Sequence, residues 1–223
     1  MKHKYALYPI IMSICAFVCF IAIAWLVSTA VQPRWGWILL LLLPAVVMAC
    51  IALPAAKGML KETPTFILTT ILVLLLIPAS GIYTVLLGFI NSEATTDIRY
   101  YTRAYAVIED EEGVEGIFPE TSPMDAENVD FFYTPQVLQG SEEFALSYTT
   151  TDEKLKEWSV RLTEKAEWIG SNKEWHALTN FSFYEEDSVR YHLYWDGGYN
   201  HGEICYVLID QQTNRITFFY EDW

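Results

Sequence analysis

Charge is scarce in this chain and unevenly spread. Of 223 residues only 19% are charged, against about 25% in an ordinary soluble protein. Three stretches hold no Asp, Glu, Lys, Arg or His: residues 5–33, 35–56 and 63–92. Proton relays and ion pathways through a bilayer almost always use ionisable groups, so this absence argues against a pump or coupled transporter. Cysteine is equally sparse. Cys15, Cys19 and Cys50 fall inside the charge-free stretches, which leaves Cys205 alone and no intradomain disulfide. His-x-x-x-His and Cys-x-x-Cys spacings are missing too, so no zinc site, other metal centre or cofactor is predicted. Basic residues number 14 against 28 acidic. That balance repels phosphate and excludes nucleic acid as a partner.

What the chain does contain divides near residue 92. Residues 1–92 hold Lys2, Lys4, Arg34, Lys57 and Lys61 against Glu62, a balance of +4. Residues 93–223 hold nine basic and 27 acidic residues, a balance of −18. Each charge-free stretch exceeds the roughly 20 apolar residues that cross a hydrocarbon core about 30 Å thick. Lipid offers the backbone no hydrogen-bond partner, so the stretches must be helical. Three transmembrane helices are predicted near residues 8–29, 37–53 and 65–89, with Trp35 and Trp37 at a headgroup boundary. Pro44 and Pro78 are expected to act as plain kinks. The paired lysines at the amino terminus and in the second loop predict a cytoplasmic N-terminus and an extracytoplasmic C-terminal domain. Ser28-Thr29-Ala30 offers a signal-cleavage sequence, but the first apolar stretch is far longer than a signal core. It reads as an uncleaved anchor.

Residues 93–223 hold 24 of the 34 Phe, Trp and Tyr, ring surface that a disordered acidic tail would lack. A helix is predicted over residues 151–169, with Thr150 and Glu153 as a capping box and Gly170 as its stop. Leu155, Trp158, Leu162, Ala166 and Ile169 would form its apolar face. Val189, Tyr191, Leu193 and Trp195 alternate with Arg190, His192 and Tyr194, the period of a half-buried strand. Residues 204–209 read as a central strand and 216–220 as its hairpin partner across Gln211–Asn214. Asp196-Gly197-Gly198 joins the first two strands, and shorter strands are expected at 130–133, 143–149 and 181–184. Residues 98–108 suit either helix or strand, and 109–127 read as a solvated acidic loop. The fold class is therefore a three-helix transmembrane region followed by an α+β domain, an antiparallel sheet packed with one main amphipathic helix.

Candidate sites are few, and no catalytic residue is assigned. Asp196, Asn200, His201 and Glu203 cluster at the glycine turn and form the candidate binding site, with Trp175 and Tyr199 as aromatic contributors. Trp168 and Trp223 are further rings placed to stack on a sugar or touch a partner. Cys205 reads as a buried inert thiol, His192 and His201 being the imidazoles near enough to activate it otherwise. The run Glu109–Glu112 with Glu115 reads as a solvated face, a hard cation being the alternative. Asn180-Phe181-Ser182 matches a glycosylation sequon. A domain outside the cytoplasm without disulfides suits a bacterium better than an animal cell surface.

The stretch Ile204–Asp210, the Asp210-x-x-x-Asn214 turn, Ile216 and the closing Glu221-Asp222-Trp223 resemble the ends of bacterial membrane proteins with a small exported α+β domain. The hairpin is also loosely similar to the final one of PepSY-type domains. That resemblance covers about 20 residues and implies an inhibitory or sensing role outside the membrane. The expected function is a membrane-anchored, non-catalytic extracytoplasmic binding, sensing or accessory protein. It would sit in the lipid bilayer and pair with a membrane-protein partner or itself. The alternatives are a surface-acting enzyme built on Asp196, His201 and Glu203, and an accessory subunit of a transport complex.

Overall fold

The computed structural model describes residues 4–123, 126–137, 140–172, 188–197 and 201–223. The chain forms two compact units, residues 1–91 and 92–223. In the first, three helices are long and apolar enough to cross a membrane: Lys4–Ser28, Trp35–Ala56 and Glu62–Asn91. A 3₁₀ turn opens the first span and α1 (Leu7–Ser28) continues it. The second span is interrupted. Helix α2 (Trp35–Ile38) passes into a 3₁₀ turn (Leu39–Leu42) before α3 (Leu43–Ala56), because Pro44 has no N–H to complete the α-helical ladder. The third span, α4 (Glu62–Asn91), tolerates Pro78 internally. Small residues Ala45, Ala52 and Ala55 lie buried on α3, allowing close helix approach. Ser13 Oγ donates to Ala45 O at 2.8 Å and Tyr83 OH to Trp37 O at 2.9 Å, cross-links between the helices.

The second unit is an α+β fold. After a 3₁₀ turn (Ile98–Tyr100) come α5 (Tyr101–Ile108), β1 (Glu127–Thr134), β2 (Glu142–Thr149), α6 (Asp152–Lys165), β3 (Trp168–Ser171), β4 (Val189–Asp196), β5 (Glu203–Asp210) and β6 (Arg215–Asp222). Among the described residues the six strands make one sheet in the order β1-β2-β6-β5-β4-β3, antiparallel throughout. One face carries an aromatic core in which Tyr101 and Phe118 meet Phe144, and Phe118 and Trp158 meet Phe218, centroids 5.1–5.9 Å apart. Leu155 and Leu162 of α6 are buried there as well. On the other face Ala145, Ile204, Tyr206, Leu208 and Phe219 form a second buried cluster.

Several expectations change. The helix predicted to Ile169 stops at Lys165, because Trp168–Ser171 pairs with β4 and takes Ile169 and Gly170 into an edge strand. Its N-cap is Thr151, whose Oγ1 accepts the Lys154 N–H, not Thr150. Residues 98–108 are helical, as a buried stripe of Tyr101, Ala104, Tyr105 and Ile108 permits. The supposed solvated loop 109–127 is anchored by buried Val114, Ile117 and Phe118. Alternation along β4 also fails: Arg190 (0% exposed) and His192 (3%) are buried with Tyr191 and Leu193, while Trp195 is 54% exposed. Both faces of the sheet are covered at this point, so a period of two no longer marks solvent. The strand expected at 181–184, the sequon at Asn180 and the end of the Gly197-Gly198 turn lie outside the described residues.

Candidate functional site

The hairpin β5–β6 sets the site's register. Asp210 closes the turn, its Oδ1 accepting the Gln212 N–H at 2.7 Å and its Oδ2 the Thr213 hydroxyl at 2.6 Å, while Asn214 takes φ 54°. Asn is among the few residues that adopt this conformation cheaply. With Asp210 opposite Arg215, the strands run back in register until Glu203 faces Asp222. Asp222 in turn faces Glu142 of β2. On the other side β4 carries a bulge between His192 and Tyr194, which shifts the remaining register by one residue and brings Asp196 opposite Glu203. Four carboxylates, Asp196, Glu203, Asp222 and Glu142, thus lie in one row across four adjacent strands. Directly paired residues of an antiparallel sheet share a face, and like charges so placed repel.

The acidic segment after α5 adds to the row. Gly113 has φ 81°, and a Cβ there would lie 2.9 Å from Cys205 Cβ and 3.0 Å from Tyr194 Cβ. Only glycine lets the backbone come this close. This contact lays the segment across β4 and β5. Burial and then Glu111, Asp222, Glu112 and Asp196 push the Glu203 carboxyl up to about 7. Glu203 Oε1 is buried and accepts no hydrogen bond among the described residues. Glu142 is raised chiefly by burial and further by Asp222 and Glu111, although Tyr133 OH donates to its Oε1 at 2.6 Å. Burial and the same carboxylates hold Tyr220 well above the usual phenol range. On the opposite face Glu221 pairs in register with Glu143, and burial followed by Glu143 lifts it to about 7. A shallow cavity of about 400 Å³ opens beside the row between the segment and β4, lined by Glu111, Glu112, Tyr194, Lys165 and Glu167 among others.

Of the residues singled out in the sequence, Asp196 and Glu203 meet in the row. His201 is exposed and makes no hydrogen bond, ion pair or ring contact among the described residues. Asn200, Tyr199 and Trp175 lie outside the described residues. Trp168 packs edge-on against His192 at 5.6 Å, and Trp223 lies so close over Gly202 that a Cβ there would overlap its ring. Both rings stay half-buried. Cys205 is fully buried, and burial pushes its thiol well up. His192 pairs with Tyr206, the neighbour of Cys205, and so lies on the other face of the sheet. It cannot activate the thiol. Glu142 and Asp222 are the participants that sequence reasoning missed, and Glu111 and Glu112, read there as a solvated face, join the row instead. Counting residues back from the Asp210–Asn214 turn would have found Asp222.

Among the described residues no group of three or more His, Cys, Asp or Glu is arranged to hold a metal ion. Within the row Glu203 and Glu142 hold their protons to higher pH than exposed glutamates do. Compared with known proteins, the chain matches no family model, no curated protein and no solved structure.

Proposed function

We propose that this is a membrane-anchored, non-catalytic protein whose acidic domain lies outside the cytoplasm and senses proton concentration there. The observation that carries the reading is the in-register row Asp196–Glu203–Asp222–Glu142, overlaid by Glu111 and Glu112. Exposed glutamates titrate near 4.5 and are indifferent to changes around neutrality. Crowding and burial bring Glu203 and Glu221 to about 7, where small pH changes alter their charge. The lysine distribution supports the outward orientation, and the PepSY-like hairpin points to a sensing role. The enzyme alternative draws less support, since exposed His201 bonds to neither Asp196 nor Glu203.

The sign of the linkage follows from the raised values. Between pH 4.5 and 7 the folded state keeps protons that the unfolded chain has released, so folding loses stability as pH rises through this window and levels off above it. The test is the thermal midpoint of the full chain in detergent micelles from pH 4 to 8.5, wild type against Glu203→Gln. The variant is expected to match wild type near pH 4 and to exceed it by about 4 °C at pH 8, a gain near 1 kcal/mol. Parallel curves over the whole range would sink the reading.

A further inference from the structure

A second cleft, of about 480 Å³, lies between α6 and the segment leading into β1. It is remote in character from the carboxylate row. Its volume is that of a small-molecule site. Helix α6 supplies one wall through Lys154, Glu157, Trp158 and Arg161, which recur at helical spacing on one side of the helix. Pro119 and Pro123 form the facing wall and Tyr148 of β2 the floor. Trp158 is half-buried in a T-shaped contact with Phe218 at 5.1 Å, and the Arg161 guanidinium lies 5.0 Å from its ring centroid while also donating to Gly116 O. One aromatic ring, two donors and one acceptor thus line the same cleft.

The occupant follows by elimination. The floor strand β2 is paired on both sides, by β1 and β6, so it has no free backbone edge for an extended peptide. A cation would meet Lys154 and Arg161. An anion would enter against the −18 balance of residues 93–223. What remains is a neutral ligand with an apolar face for the tryptophan and hydroxyls that both donate and accept. Arg161 and Lys154 donate to such hydroxyls and Glu157 accepts from them. We propose that this cleft binds a neutral glycan.

The test uses the full chain in lipid nanodiscs, because alkyl maltoside detergents carry a competing sugar. Cellotetraose, maltotetraose and chitotetraose are titrated by calorimetry, with tetragalacturonate and spermine as charged controls. Saturable binding of at least one neutral tetramer is expected, weakened at least about tenfold in Trp158→Ala. Since Trp158 also packs on Phe218, exposed Glu157→Gln is the second variant. It should leave the unfolding midpoint unchanged and weaken binding severalfold. No binding of any neutral tetramer at 10 mM would overturn the assignment. So would unchanged affinity in both variants, or tighter binding of tetragalacturonate or spermine.

Discussion

Gly113 shows how one residue without a side chain places two with charge. Its positive φ and its contact with Cys205 and Tyr194 bring Glu111 and Glu112 over Glu203. Gly113→Ala adds a methyl that has no room and a backbone conformation unfavourable for alanine. It is expected to cost about 2 kcal/mol in urea unfolding of the full chain. Wild-type stability in that variant would show that the segment does not rest on Cys205. Arg190 and His192 make a different point at the same scale. The Arg190 guanidinium lies 3.6 Å from the Tyr206 ring centroid, and its Nη1 donates to Asn172 Oδ1 at 3.3 Å. Burial, then Arg190, lower His192 to about 3, so it stays a neutral ring in the interior. Polar residues alternating with apolar ones ordinarily mark the wet side of a strand. Here the partners that bury them come from elsewhere in the chain, which no local pattern records.

At the scale of elements, legibility tracks how local the forces are. The strand Glu203–Asp210, continuously apolar from Ile204 to Ile209, is central as its composition predicts, and the Asp210–Asn214 turn closes as its residue types require. The end of α6 was not legible, because nothing in Ala166-Glu167 halts a helix. Pairing with β4 does, and the Glu167 N–H donates to His192 O at 2.8 Å where the helix would have continued. Strand β3 is four residues long, at the sheet edge, with Ile169 41% exposed. Its amides should therefore exchange with deuterium at least about a hundredfold faster than those of β5, measured by mass spectrometry on the full chain. Equal protection would mean that β3 opens only with the whole sheet. The bulge in β4 is the element-scale event that matters most for the site. Had every residue of β4 stayed paired, with no bulge, Asp196 would face Gly202 and the row would end at Glu203.

The whole molecule is two compositions joined near residue 92, one nearly uncharged and one strongly acidic. Acidic residues do little to resist translocation, whereas lysines beside a helix end hold it on the cytoplasmic side. With the proposed orientation, a cysteine at exposed Glu164 should be labelled in intact cells by a membrane-impermeant maleimide, and one at Lys57 only after lysis. The reverse pattern would place the acidic domain in the cytoplasm. Both single-cysteine variants are made with Cys15, Cys19 and Cys50 replaced by alanine, Cys205 being buried.

By itself the sequence determined the three helices long and apolar enough to span a membrane, the boundary between the units, the α+β class and the β5–β6 turn. Each rests on composition or on contacts a few residues apart. The tertiary structure alone decided that Asp196, Glu203, Asp222 and Glu142 share a row, that Gly113 lays two more glutamates over it, and that Arg190 and His192 are interior. Those outcomes depend on strand order and on a one-residue shift of register, quantities set by packing between segments as far apart in the chain as Gly113 and Cys205.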